Sequence, residues 1–165
     1  MRFDEIQPNP EYTASIPSSL SELEEGGRFC QRTIPGLLAT PDSIKRVFES
    51  HDSIFIVKKD GVICGMLACL FLNKAGEDAL IGGRFSLADP SPDHLSNEDV
   101  VAIYIWAISF PGEAAGNLME WLKRPKCSRA PIYERAMTPE GKAFMKRGGG
   151  VPLEGHPYLW IYHRV

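Results

Sequence analysis

The chain reads as an α/β domain of the α+β mixed-sheet kind, a central mixed β-sheet flanked by helices. Three observations predict this. Its longest apolar runs, Val62 to Leu72 and Val100 to Phe110, are rich in β-formers and too short to cross a bilayer as helices, so they read as buried strands. Between and after them lie segments whose apolar residues recur at helical intervals. In the second half, strand-like and helix-like segments alternate, as they do where helices cross over between strands of one sheet.

The elements follow in order. Arg2 to Ile6 can form a short first strand, after which Asn9, Pro10 and Pro17 keep the connection irregular. Ser18 or Ser19 can cap a helix with apolar positions Leu20, Leu23, Cys30 and Ile34, weakened at Gly26 and Gly27 and so readable as two pieces. Thr40, Pro41 and Asp42 signal a second helix, with Ile44, Val47, Phe48 and His51 on one face and His51 as its C-terminal cap. Ile54 to Val57 and Val62 to Leu72 form an antiparallel hairpin, because Asp60-Gly61 supplies the positive φ angles of a tight turn. Asn73 to Asn97, with Gly82, Gly83, Pro90 and Pro92, is expected to be a mobile loop facing the substrate, with an extra strand near Ala79 to Leu87.

Val100 to Phe110 is the long strand. Pro111 and Gly112 break it directly before a helix carrying Ala115, Leu118, Met119 and Leu122 on one face. Ala130 to Arg135 is a further strand. Thr138 and Pro139 are the N-cap and first residue of a helix to Arg147, stopped by Gly148 to Gly150, and Pro157 to His163 is an aromatic-rich last strand. No repeat or linker divides the 165 residues, so residues 1–165 parse as a single domain.

Composition excludes several classes. With 18 Lys plus Arg against 21 Asp plus Glu, no global field draws in nucleic acid, and the cationic stretch Lys123 to Arg129 reads as a solvated helix end. Met1 to Glu11 lacks the apolar core of a signal peptide, which predicts a cytoplasmic protein without a membrane partner. Cys30, Cys64, Cys69 and Cys127 show no CxxC spacing, and with no zinc pattern among the histidines the expected metal set is empty. Gly141-Lys142 lacks the remaining residues of a nucleotide loop, and neither a G-x-S-x-G elbow nor an HExxH pair occurs. His94, in the long polar loop, is a minor catalytic candidate.

Pro111, Gly112, Glu113, Ala114, Ala115 and Gly116 open the helix after the long strand with small residues, which lets first-turn N–H groups approach a diphosphate. Together with the element order, this junction resembles the GNAT superfamily of acyl-CoA-dependent N-acyltransferases, whose pattern there is Gln or Arg, then Gly-x-Gly-x-Gly or Ala. The resemblance implies acetyl-CoA or another acyl-CoA as substrate, held by Ile108, Phe110, Gly112, Glu113, Ala114, Ala115, Gly116 and Phe144, and an amine of a small molecule or protein as acceptor. The resemblance leaves a homodimer possible. Two positions depart from the family. Pro111 replaces Gln or Arg and carries no N–H. Phe144 stands where the family often has its acidic tyrosine, four residues ahead of a Gly-Phe pair.

Chemistry must then come from elsewhere. Period-two alternation puts Ala102, Tyr104 and Trp106 on one strand face, which makes Tyr104 the first catalytic candidate, with Ser109, Tyr133 and the Glu98 and Asp99 pair as further ones. Two alternatives stand beside this reading. One is a catalytically inactive GNAT-like binding module. The other is a relative of the toxin-activating lysine acyltransferases, to which Trp106 to Met119 is similar, although the histidine expected near their N-terminus is absent and the first here is His51.

Overall fold

A computed structural model describes residues 2–33 and 39–164. Seven strands form one mixed sheet in the order β1-β2-β3-β4-β5-β7-β6, so the fold is mixed α/β. The elements are β1 (Thr13–Ser15), α1 (Leu20–Thr33), α2 (Pro41–Ser50), β2 (Ile54–Lys59), β3 (Val62–Leu72), α3 (Lys74–Ile81), β4 (Ala102–Ser109), α4 (Ala115–Leu122), β5 (Ile132–Arg135), α5 (Pro139–Arg147), β6 (Val151–Pro152) and β7 (Leu159–Tyr162). All strand pairs are antiparallel except β4 with β5. Among the described residues, no helix is long and apolar enough to cross a membrane.

Strand alternation sorts the apolar residues into two layers. On one face Phe55, Leu67, Ile103, Ile105 and Ile132 pack under Leu118 and Leu122 of α4 and Met145 of α5. On the other, Ile56, Leu70, Tyr104 and Tyr133 meet Leu23 of α1, Val47 of α2 and Leu80 of α3. Helix α1 is continuous through Gly26, because the helix lies so close to the sheet that a Cβ there would strike Ile56 and Met66. Its expected apolar position Ile34 lies outside the described residues. Thr40 caps α2 by accepting from the Ser43 amide, Thr138 caps α5 by accepting from Gly141, and the chain turns from β2 to β3 at Asp60 and Gly61, both with positive φ.

Three expectations are corrected. Arg2 to Ile6 is not a strand: Phe3–Glu5 is a 3-10 turn whose Phe3 amide donates to the Gly148 carbonyl and whose ring fills the space over Gly148, and the first strand is Thr13–Ser15. Ala79 to Leu87 is not a strand either. Asn73 accepts from the Gly76 amide at 2.8 Å and caps α3, which runs through Ile81 before Gly82 and Gly83 end it.

Nor is the rest of Asn73 to Asn97 a free flap. The Trp106 indole donates to the Leu87 carbonyl at 2.7 Å, Asp89 takes Ser43 and Arg46, the Asn97 amide side chain reaches the Ser50 carbonyl, and Leu95 bridges Leu72. A stretch with so many partners from the core is fixed by packing, whatever its content of Gly and Pro.

Candidate active site

The parallel pair β4–β5 is short. Ile103 pairs with Ile132, Tyr104 with Tyr133 and Ile105 with Glu134, after which β4 runs on to Ser109 while β5 ends at Arg135. A register shift opposite Ala68 and Cys69 lets the β4 backbone bulge at Trp106. Beyond Ile105 and Glu134 the two strands therefore lose each other, and the sheet forks.

Under the fork, on the side of α4 and α5, lies an apolar cleft. Ile105, Ile108, Phe110, Ile132 and Phe144 line it, and Phe3 closes part of its wall. The Phe144 ring centroid is 5.0 Å from that of Phe3 and 6.2 Å from that of Phe110, an aromatic cluster at the β4–α5 end of the cleft. Ile108, Phe110, Ala115 and Phe144 are thus brought together around one space, which suits hydrocarbon and no polar group.

Two residues at the fork were not singled out from the sequence. Glu134 lies on the cleft face of β5, two residues beyond Ile132 and opposite Ile105 and Trp160. It is 6% exposed, its Oε2 is buried without a hydrogen-bond partner, and burial raises its carboxyl to about 7. Arg135 follows on the opposite face, exposed and with no hydrogen bond or ion pair among the described residues. The signal for Glu134 was present: alternation through Ala130 to Arg135 puts a carboxylate on the same face as an isoleucine of an inner strand.

On the α1–α3 face, Tyr104 is buried beside Phe85, with ring centroids 6.3 Å apart, and its hydroxyl makes no hydrogen bond among the described residues. Burial pushes the phenol up to about 12, so it is a proton donor at neutral pH. Tyr133 is adjacent, but its hydroxyl donates to Glu77 Oε2 at 3.0 Å, and Lys74 in turn pairs with Glu77 at 3.4 Å. Burial and that carboxylate raise the Tyr133 phenol still further.

Other sequence candidates fall elsewhere. Ser109 closes β4 opposite Met66. Glu98 and Asp99 are exposed in the turn that leads into β4, at the end of the strand away from the fork. The His94 ring stacks on Phe85 at 5.6 Å, and its backbone carbonyl accepts from Asn73, which makes it part of the packed connection. His51 caps α2 through its amide to the Val47 carbonyl, and burial lowers its imidazole below the usual value.

The small-residue junction is a 3-10 turn, Gly112–Ala114, leading into α4. Gly112 is open, with nothing within 4 Å of where a Cβ would be, and neither its amide nor that of Glu113 is hydrogen-bonded among the described residues. Ala114 is buried, and its amide is spent on the Pro111 carbonyl.

Gly116 differs from expectation. It is buried beneath the N-terminal segment, and a Cβ would run into the Gln7 carbonyl, so its smallness serves packing of that segment rather than access to an anion. Asn117 holds the same segment through Asn9 and Tyr12, and Trp121 donates to the Ala14 carbonyl at 2.8 Å. The Tyr12 hydroxyl donates to Glu113 Oε2 at 2.9 Å, which draws the acidic side chain toward β1.

Three cations of the basic stretch after α4 are paired. Lys123 meets Glu120 at 2.9 Å, while Arg124, at 2.7 Å, and Lys126 share Asp52. No protein-family model matches the chain, and no curated protein is significantly similar to it.

Proposed function

We propose that the protein transfers an acyl group from acyl-CoA to an amine. The observation that carries this reading is the fork between β4 and β5, with an all-apolar cleft beneath it and a buried, unpartnered carboxyl, Glu134, at its apex. The element order, β4–turn–α4 junction and open Gly112 support it, as features that resemble the GNAT fold. In this reading the pantetheine arm lies along the free end of β4 at Ile108 and Phe110, with the diphosphate against the amides of Gly112 and Glu113.

A ligand lying in the fork is reached from one face by Glu134 and from the other by Tyr104. An alkylamine with pKa near 10.4 is about three units too protonated at neutral pH, so roughly 4 kcal/mol must be offset for attack. Glu134, with a carboxyl at about 7, accepts that proton far better than an ordinary carboxylate does. The amine nitrogen then bonds to the thioester carbonyl carbon and the C–S bond breaks; the Tyr104 hydroxyl gives its proton to the departing thiolate and is reprotonated by the second proton that the new amide nitrogen sheds. Positioning supplies most of the rate.

A second reading, a GNAT-like binding module without activity, draws on Gly116 and Glu113. One lies beneath Gln7, and the other is an acidic residue at the turn whose amides an anion would use, its carboxylate held by Tyr12. The two readings separate in calorimetry with acetyl-CoA and longer acyl-CoAs, joined to mass spectrometry of CoA species that co-purify. Acyl-CoA at one hundred times its dissociation constant adds about 2.7 kcal/mol of stability. Absence of binding by any acyl-CoA overturns the transferase.

A further inference from the structure

We infer that Arg135 selects acceptors that carry a carboxylate beside the amine, docking them on the α1–α3 face of the fork next to Tyr104. The inference rests on the transferase reading above. Arg135 ends β5, two residues beyond Tyr133, and strand alternation puts it on the face shared by Tyr133 and Tyr104, whose strands are paired in register. Two other cations on the strands are engaged: Lys58 pairs with Glu22 at 2.9 Å, and Lys59 lies over the Tyr12 ring at 5.4 Å from its centroid. Among the described residues Arg135 has neither an ion pair nor a ring beneath it, and it is exposed at the end of β5, where the fork opens.

The polar groups of that sheet face leave the role open. Tyr133 is committed to Glu77, the Trp106 indole to the Leu87 carbonyl, and Glu77 is already paired with Lys74. Among the described residues the Tyr104 hydroxyl has no hydrogen-bond partner, and burial raises its phenol while the positive charge of Arg135 acts against that rise, so the two are within electrostatic reach. A guanidinium presents two parallel N–H donors that match a carboxylate, and the aromatic pair Tyr104 and Phe85 on the same sheet face suits an apolar side chain. An acceptor with a carboxylate at one end is thereby oriented with its amine toward the fork.

The test compares amines that differ in one group: phenylalanine, phenylalanine amide, phenethylamine and phosphoethanolamine, with a mixed pool of amino acids, each incubated with acetyl-CoA and followed by mass spectrometry. Arg135→Gln and Arg135→Lys are measured beside the parent. Transfer should favour carboxylate-bearing amines over their amides. Arg135→Gln should raise KM for them about tenfold or more with little change in kcat, Arg135→Lys should restore part of it, and the melting temperature should stay put because the side chain is exposed. Preference for neutral amines, or an unchanged KM in Arg135→Gln, overturns the inference. Preference for phosphoethanolamine overturns the carboxylate in favour of phosphate. If calorimetry shows acetyl-CoA bound but no anionic acceptor is acetylated, this inference fails alone. If acetyl-CoA does not bind, the transferase fails and this inference with it.

Discussion

Replacing Glu134 with glutamine should make the protein more stable above pH 8 and flatten its stability between pH 5.5 and 8.5. Burial moves this carboxyl from an ordinary 4.5 to about 7, because the folded chain offers its ionised form neither water nor a donor at Oε2. At about 1.4 kcal/mol for each tenfold change, ionising it in place costs roughly 3 kcal/mol. The folded state holds the proton more tightly than the unfolded state, so this stability is full below about pH 4.5 and is lost as pH rises through 7. Roughly 2 kcal/mol of it disappears between pH 5.5 and 8.5.

His51, lowered by burial, works in the opposite sense, since its stability is lost as pH falls. The difference between parent and variant therefore isolates Glu134. Urea denaturation at both pH values reads it directly. A glutamine variant with the parent's slope from pH 5.5 to 8.5 refutes the claim that Glu134 is a buried, unpaired acid. The base role assigned to it would fall as well.

Other expectations follow from the same geometry. Gly116→Ala should cost about 2 kcal/mol or more, seen as a melting temperature lower by roughly 5 °C, since the new methyl meets backbone at Gln7 rather than a yielding side chain; an unchanged melting point refutes that packing. Gly112→Val should leave stability nearly intact but weaken acyl-CoA in calorimetry, and equal affinity would move the diphosphate elsewhere. Tyr104→Phe should lower kcat more than it changes acyl-CoA affinity, and an unaltered rate would remove it from the chemistry. Limited proteolysis should spare residues 84–101, which are tied to Trp106, Ser43, Arg46 and Ser50; rapid cutting there would show those ties to be weak.

The long strand, the hairpin and helices α2 and α5 were legible because local rules act alone in them: Thr40-Pro41 and Thr138-Pro139 are start signals, and Asp60-Gly61 is a turn wherever it occurs. Helix α3 was not, since its cap is one asparagine and its eight residues contain Gly76 and run into Gly82 and Gly83, which suggest a loop. The first strand was misplaced because Phe3 finds its partner at Gly148, a contact no local window contains. The place of Tyr104 on one face of β4 with Trp106 followed from alternation alone. Gly116 was assigned to the wrong task because smallness for a ligand and smallness for a neighbouring chain segment look identical in sequence. Alternation already turned Glu134 inward with Ile132, but its place at the fork exists only once β4 and β5 are paired and part.

The placement of β7 between β5 and β6 has a consequence for how the protein is made. A nascent chain that has emerged as far as His156 carries a β5 with one bare edge and a β6 with nothing to pair to, because both take their hydrogen bonds from Leu159–Tyr162. Asp4 waits as long, since the hydroxyl of Tyr162 and the guanidinium of Arg164 that hold it lie about 160 residues later. The hairpin β2–β3 can close early on the ribosome, but this half of the sheet cannot. Its folding should follow release of that strand from the exit tunnel, and until then the unpaired edges beside the fork are surfaces for a chaperone to cover.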